Sequence, residues 1–385
     1  NDRVMISTPL KALAIAVLFA LAGGVSADDS GLSRLFDGSP SPSAPRFEEA
    51  SPATPASAPM AEARKPTIVP PDLAAELPRV GIAAQLAKLG SSSAADFTFG
   101  VIGDAEPGRF PWERIFSPGP RAFTDQMAAL QADAPDFIVQ LGDFVSEGDV
   151  ENYRRHVAWM EAAEYVPLLR CVGNHDRSRP NGDADKNLYD AVFGPRDYFF
   201  DRGGWRFVVL DSSDRKVTGA QLAWLKGALS SPARKVIFTH VPPKYLKRLK
   251  PLPAVGALTE SADEFDAAAA ENRKSGGLHD FFTNYFEDGS AEFEDLVEHG
   301  NVAAVYMGHI HAFWAADYRG VRYVISGGGG SPLYPLPPGY PKEKFAHYMT
   351  VAVSPSGLVE TVHPYRGSAF VLPPVKSGSA QLTPE

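Results

Sequence analysis

The chain has 385 residues, of which 44% are hydrophobic; that composition excludes disorder over the whole length and supplies a sizeable core. A formal net charge of −9 argues against a nucleic-acid partner, because a phosphate backbone calls for a basic surface. With one cysteine no intramolecular disulfide can form, so stability must come from packing.

Near the N-terminus Lys11 precedes an apolar run over residues 12–21, and small residues follow, ending in Val25-Ser26-Ala27. A charged segment, an apolar core and a small-x-small site together describe a secretory signal peptide (1–27), with cleavage expected after Ala27. The run is shorter than the ~20 residues of a comfortable bilayer span. The expectation is a secreted or periplasmic protein with no stable membrane span after cleavage. Residues 28–94 are rich in Ala, Pro and Ser, as in "SPSPSAPRFEEASPATPASAPM". Such a segment buries too little apolar surface to offset its ordering entropy, and it reads as a largely disordered linker. One short amphipathic piece stands in it, around "DLAAELPRVGIAAQLAKL".

From residue 95 the texture changes, and 95–367 reads as one folded domain ahead of a flexible tail at 368–385. Apolar runs of strand length ("DFTFGVIGD", "DFIVQLGD", "VPLLRCVGNHD", "WRFVVLDSS", "ARKVIFTH", "NVAAVYMGHIH") alternate with helical periods near 122–132, 150–164 and 218–229. Continuous apolar runs separated by helices indicate strands buried on both faces, hence an α/β sandwich. Cys171 lies inside one such run and reads as a small buried hydrophobe. An insertion at about 242–290 has few strand-like runs; connections of that length are usually functional or disordered. After residue 312 the chain shows turn-linked strands without a helical period, which predicts an antiparallel part of the sheets.

Function is carried by how these runs end. "FGVIGD" ends in Asp104, "FIVQLGD" in Asp143, "LLRCVGNH" in Asn174 and His175, "KVIFTH" in His240, and "AAVYMGHIH" in His309 and His311. Each ending alone is ordinary, since an Asp after a Gly is a common turn residue. In open α/β sheets, however, the carboxyl ends of strands converge on one crevice. Seven such residues after five strands describe a metal site. Carboxylate, amide and imidazole donors suit Mn, Fe, Zn or Co. Six or seven ligands exceed a tetrahedral zinc site and suggest two ions bridged by one carboxylate, ~3.5–4 Å apart. The lack of a thiolate speaks against structural zinc.

The order Asp-x-x, "GD", "GNHD", "TH", "GHIH" resembles that of the calcineurin-like metallophosphoesterases, which include the purple acid phosphatases. The resemblance implies a four-layer α/β/β/α sandwich and a phosphate ester substrate. It also implies two divalent or mixed-valence transition-metal ions (Mn, Fe or Zn). By the same resemblance Asp104 ligates the first metal and Asp143 bridges both. Asn174, His240 and His309 ligate the second, and His311 returns to the first. A hydroxide bridging the ions would attack phosphorus in line, and His175 would assist the leaving oxygen. Phosphomonoesters are slightly favoured over diesters.

The chain departs from the pattern at Glu106. Most members carry Asp-x-His in the first motif, and purple acid phosphatases place Gly there and add a tyrosine ligand after the second motif. Here "GDFVSEGD" offers no tyrosine, so a tyrosinate–iron site is not expected. Glu106 either replaces the imidazole with a carboxylate oxygen, turns away, or is a solvated turn acid. Arg177 and Arg179 are candidates to meet a substrate's distal anionic group, against the alternative of exposed arginines without a role. Lys244, Lys247 and Arg248 line the cleft rim or form a solvated basic loop. The run "SGGGGSP" lacks the Lys-Ser/Thr ending of a P-loop; it either brings backbone close to the cleft or is a flexible turn. No Gly-x-Ser-x-Gly nucleophile elbow is present. The alternative to an enzyme is a degenerate member of the fold with an incomplete metal site, acting as a binding protein.

Overall fold

The computed structural model describes residues 66–105, 119–163, 166–249, 252, 285–333 and 345–375. The signal segment, residues 28–65 of the expected linker and the middle of the 242–290 insertion lie outside them. Among the described residues, no helix is long and apolar enough to cross a membrane.

The apolar runs become strands, and the intervening helical periods become helices. In chain order the strands are β1 (Phe97–Ile102), β2 (Phe137–Gln140), β3 (Leu168–Arg170), β4 (Tyr198–Arg202), β5 (Trp205–Leu210) and β6 (Arg234–Thr239). They continue with β7 (Val302–Met307), β8 (Phe313–Tyr318), β9 (Val321–Ser326), β10 (His347–Ser354), β11 (Gly357–Pro364) and β12 (Phe370–Val371). One six-stranded sheet runs β12-β11-β10-β1-β2-β3 and the other β4-β5-β6-β7-β9-β8. Strands β1, β2 and β3 are mutually parallel, as are β5, β6, β7 and β9. The antiparallel pairings stand at β10, β11, β12, β4 and β8. The late strands are thus antiparallel as expected, apart from β9 beside β7.

Phe99 and Val101 of one sheet pack against Phe207, Phe238 and Tyr306 of the other in a shared core that also encloses Cys171. The outer face of the first sheet is covered by α4 (Gly119–Ala132) and α5 (Val150–Ala163), through Phe123, Met127, Leu130 and Trp159. The outer face of the second is covered by α7 (Gly219–Leu229) and α8 (Ser290–His299), through Leu225, Leu229, Phe293 and Val297. Helix, sheet, sheet, helix is the four-layer sandwich expected. Helix α7 begins at a capping box: Thr218 Oγ1 accepts from the Gln221 N–H while the Gln221 side chain accepts from the Thr218 N–H.

At the flanks the amphipathic piece expected within the linker is helical, and part of the expected tail joins a sheet. Within the stretch read as linker, α1 (Pro71–Ala74), α2 (Leu77–Val80) and α3 (Ile82–Leu89) are ordered on the domain. Leu73 and Val80 join Val192 and Phe193 of the segment containing α6 (Asn187–Val192), and Ile82 enters the shared core. Spaced apolar anchors, rather than mean composition, decide that segment. At the other end, β12 pairs with β11 inside the expected tail, with Leu372 buried in the same core.

Candidate metal centre

Every predicted strand-end residue that the structure describes sits at the carboxyl end of a parallel strand. Asp104 follows β1, Asp143 follows β2, Asn174 and His175 follow β3, His240 follows β6, and His309 and His311 follow β7. The chain must turn sharply there to aim a side chain back along the sheet. Asp104, Asp143 and His309 do so at φ of 57°, 52° and 70°, a left-handed conformation that costs an L-residue roughly 1–2 kcal/mol. Three strained non-glycine residues at converging strand ends mark a functional site. Glycines make room for them: a Cβ at Gly173 would overlap the Asp143 carboxylate, and one at Gly142 would approach His240 Nδ1 to 2.6 Å.

Donor atoms of Asp143, His240 and His309 lie within 4.8 Å of one another, and so do those of Asp104, Asp143 and His311. Asp143 belongs to both groups. Asn174 joins the first, its Oδ1 standing 3.1 Å from His240 Nε2. His240 Nδ1 donates to the Leu141 carbonyl at 2.7 Å and His311 Nδ1 to the Pro332 carbonyl at 2.8 Å. Those bonds fix the tautomer that leaves each Nε2 with a lone pair facing the cleft. In neutral His240, Nε2 then meets two oxygen acceptors, Asn174 Oδ1 and Asp143 Oδ2, the latter 3.2 Å away. Only a positive charge reconciles three lone pairs.

The electrostatics agree. Burial works against charging His240, but the Asp143 carboxylate outweighs it and pushes the imidazole up to about 9. Burial also works against ionising Asp143, yet His240 and His175 hold it well below the usual carboxylate range. His309 is buried with neither ring nitrogen hydrogen-bonded; burial and the neighbouring His240 keep it neutral, well below the ordinary histidine value. His311 is likewise lowered to about 4, first by burial. An unbonded neutral imidazole buried beside a carboxylate is the form a metal takes up. The donor set fits divalent ions.

The residues 97–313 match the sequence profile of the calcineurin-like phosphoesterases. The chain belongs to that family. As a calcineurin-like phosphoesterase it is a metal-dependent hydrolase of phosphate esters. Its structure resembles that of the purple acid phosphatase PPD1 from seeds of yellow lupin, Lupinus luteus. That match has 16% identity and a TM-score of 0.49, covering 77% of this chain and 57% of the lupin protein. A dimetal phosphatase from Danio rerio matches at 15% identity and a TM-score of 0.44, covering 71% of this chain and 98% of that one. No curated protein matches the chain.

Sequence reasoning named the candidate ligands but missed the carboxylate that braces their loops. Asp176, buried behind the cleft, accepts hydrogen bonds from four backbone N–H groups: Asp143 (2.9 Å), Phe144 (2.9 Å), Val145 (3.3 Å) and Gly173 (2.7 Å). It ties the loop after β2 to the loop after β3. The signal was present as the last letter of "GNHD". Burial raises its pKa to about 7, with the Asp143 charge adding and the N–H donors opposing.

The glycine run also acts on the site. Gly329 N–H donates to Gly103 O at 2.7 Å and Ser331 N–H to Asp104 O at 2.8 Å, so residues 327–331 brace the first ligand loop. Behind them His347 is fully buried, with Nδ1 donating to Phe345 O and Nε2 accepting from Ser326 Oγ, both at 2.9 Å. Burial lowers its pKa to about 4. A histidine whose folded value lies below its unfolded ~6.5 stabilises fully above that pH and loses stability as pH falls toward 4. His347 is therefore expected to cost about 2 kcal/mol of stability between pH 7 and pH 5. Urea unfolding of His347→Gln should show that much less loss over the same interval; an unchanged pH dependence would refute it.

The structure gives the charged residues singled out in the sequence these partners. Arg177 is buried, and its guanidinium donates to the carbonyls of Asn174, Pro180 and Gly182 and to Asp214. It closes the loop that carries Asn174, spending four N–H···O bonds there and on Asp214. Arg179 Nε donates to the Asp183 carbonyl. Lys244 and Arg248 pair with Glu287 and Glu294, and Lys247 lies over Tyr285, so the basic segment is neutralised at α8 and its approach. Glu106 lies outside the described residues.

Proposed function

We propose that the protein is an exported, binuclear hydrolase that prefers phosphomonoesters to diesters. Asp143 carries this reading, because it stands in both donor groups at once. Two divalent ions held there would supply a hydroxide nucleophile near neutral pH and offset the phosphoryl charge. Asp104 and His311 would hold one ion and Asn174, His240 and His309 the other, and Glu106 would complete the first. His175 is held for the leaving group: its backbone N–H donates to Asp143 Oδ1 and its Nδ1 to the Ser146 carbonyl, both at 2.8 Å. That leaves Nε2 for the cleft, where it can give a proton to the departing oxygen only from the doubly protonated ring. A binding protein would have no use for a histidine oriented in this way. Export rests on the N-terminal charged and apolar pattern.

The test is metal analysis of the purified protein, coupled to hydrolysis of p-nitrophenyl phosphate and bis(p-nitrophenyl) phosphate with added Mn, Zn or Fe. About two ions per chain and faster turnover of the monoester are expected, with Glu106→Ala weakening one of the two binding steps. Fewer than one ion per chain with no turnover on either ester sinks the proposal.

A further inference from the structure

Strand β5 runs parallel to β6, yet its end supplies no member of either donor group. The chain there reads Asp211-Ser212-Ser213-Asp214, and the first three residues are buried. The main-chain register between the two strands stops at Leu210 opposite Thr239. Beyond it the buried N–H and C=O of Val241 still need partners, and the Ser212 side chain provides them. Its hydroxyl accepts from the Val241 N–H at 2.7 Å, donates to the Val241 carbonyl at 3.1 Å and accepts from the Thr239 hydroxyl at 2.7 Å. Thr239 and Val241 flank His240, and all three are fully buried. One hydroxyl thus holds the chain on both sides of a candidate ligand.

Asp214 acts on the neighbouring ligand loop. One of its oxygens accepts from Arg177 Nη1 at 2.8 Å and the other from Lys186 Nζ at 3.0 Å. Lys186 also pairs with Asp211, so the turn is tied down at both ends. Arg177 Nη2 donates to the Pro180 carbonyl at 2.7 Å, and the Asn174 amide nitrogen donates to the same oxygen at 3.3 Å. With its nitrogen committed there, the Asn174 side chain turns Oδ1 toward His240 Nε2. An amide held the other way would offer a cation its N–H groups. Arg177 Nε also fixes the Asn174 carbonyl, at 3.2 Å.

We propose that residues 211–214 are a positioning segment for the second ion's ligands: Ser212 sets His240, and Asp214, through Arg177, sets Asn174. The inference rests on the binuclear reading of the centre and adds to it residues that supply no donor atom. Outer partners of this kind keep a ligand in the orientation its metal needs, and losing one lowers metal affinity. Asp104 and His311 are braced elsewhere, by the Ser331 N–H and the Pro332 carbonyl, so the effect is confined to one ion.

The experiment reads metal binding, which needs no turnover. Titrating the metal-stripped protein with Co(II), by calorimetry and visible absorption, should give two steps in the wild type. Asn174→Ala identifies the step that belongs to the second ion. Ser212→Ala should weaken that step about 10-fold and leave the other at its wild-type strength. Asp214→Ala should act on the same step by a smaller factor. If Ser212→Ala does not fold, Ser212→Cys takes its place, since the thiol fills the site but is a weak acceptor. Loss at one step alone is a result that general loosening of the fold does not give. A second step unchanged in either variant, or an equal fall in both steps, overturns the positioning role. With two ions bound by the wild type, those outcomes overturn this inference alone; fewer than one ion overturns the binuclear reading and the inference with it.

Discussion

Replacing Asp143 by asparagine is expected to cut phosphoester hydrolysis by more than the ~100-fold that loss of an outer-shell partner costs, and to reduce metal content at both positions together. The reason is its double membership: its oxygens lie within 4.8 Å of donor atoms from His240 and His309 on one side and from Asp104 and His311 on the other. A neutral amide removes a negative charge from both groups and replaces one oxygen by a donor nitrogen. It also disturbs the bond from the His175 N–H to Asp143 Oδ1, and with it the orientation of the proposed acid. A ligand serving one ion would behave differently. Asn174→Ala should weaken the second ion while leaving the first in place, so stoichiometry by metal analysis separates the two cases. An Asp143→Asn protein that retains both ions and normal turnover would remove the bridging role.

The contrast between what the sequence showed and what it hid follows from physical cause. A polar residue at the end of a buried parallel strand is visible because the hydrophobic run stops at it, and the strand's direction fixes which end of the sheet it occupies. Asp104, Asp143, Asn174, His240, His309 and His311 were all legible in this way. The four-layer architecture was legible for the same reason, since both sheets are built on such runs. The burial of Arg177 was not legible because a buried guanidinium and a solvated one look alike in sequence; besides Asp214 its partners are backbone carbonyls, which carry no residue-type signal. The helices at 71–89 were legible only as an amphipathic piece in an Ala- and Pro-rich stretch, where Leu73, Val80 and Ile82 are buried. Strand β12 spans two residues, Phe370–Val371, too few to show a period. Asp176 belongs with the hidden class, because all four of its hydrogen-bond partners in the ligand loops are main-chain groups.

That hidden residue carries the second large effect. Asp176→Ala leaves the N–H groups of Asp143, Phe144, Val145 and Gly173 without their acceptor in a buried loop. An unsatisfied buried donor costs about 1–3 kcal/mol, so the loss is expected to reach several kcal/mol out of a total stability of about 5–15. The same N–H groups hold Asp143 in its strained turn at φ 52°, so metal affinity should fall ~10–100-fold even in the fraction that folds. Asp176→Asn separates the two contributions. Its amide oxygen still accepts from one side of the loop, while its amide nitrogen meets N–H donors on the other. It should therefore lie between wild type and Asp176→Ala in melting temperature, yet close to the latter in metal affinity. Thermal unfolding without metal, followed by metal titration at a temperature where each variant is folded, makes the comparison. If Asp176→Ala kept the wild-type melting temperature and affinity, the four bonds would be incidental to the ligand loops, and the alignment of Asp143 would have to come from the glycines around it.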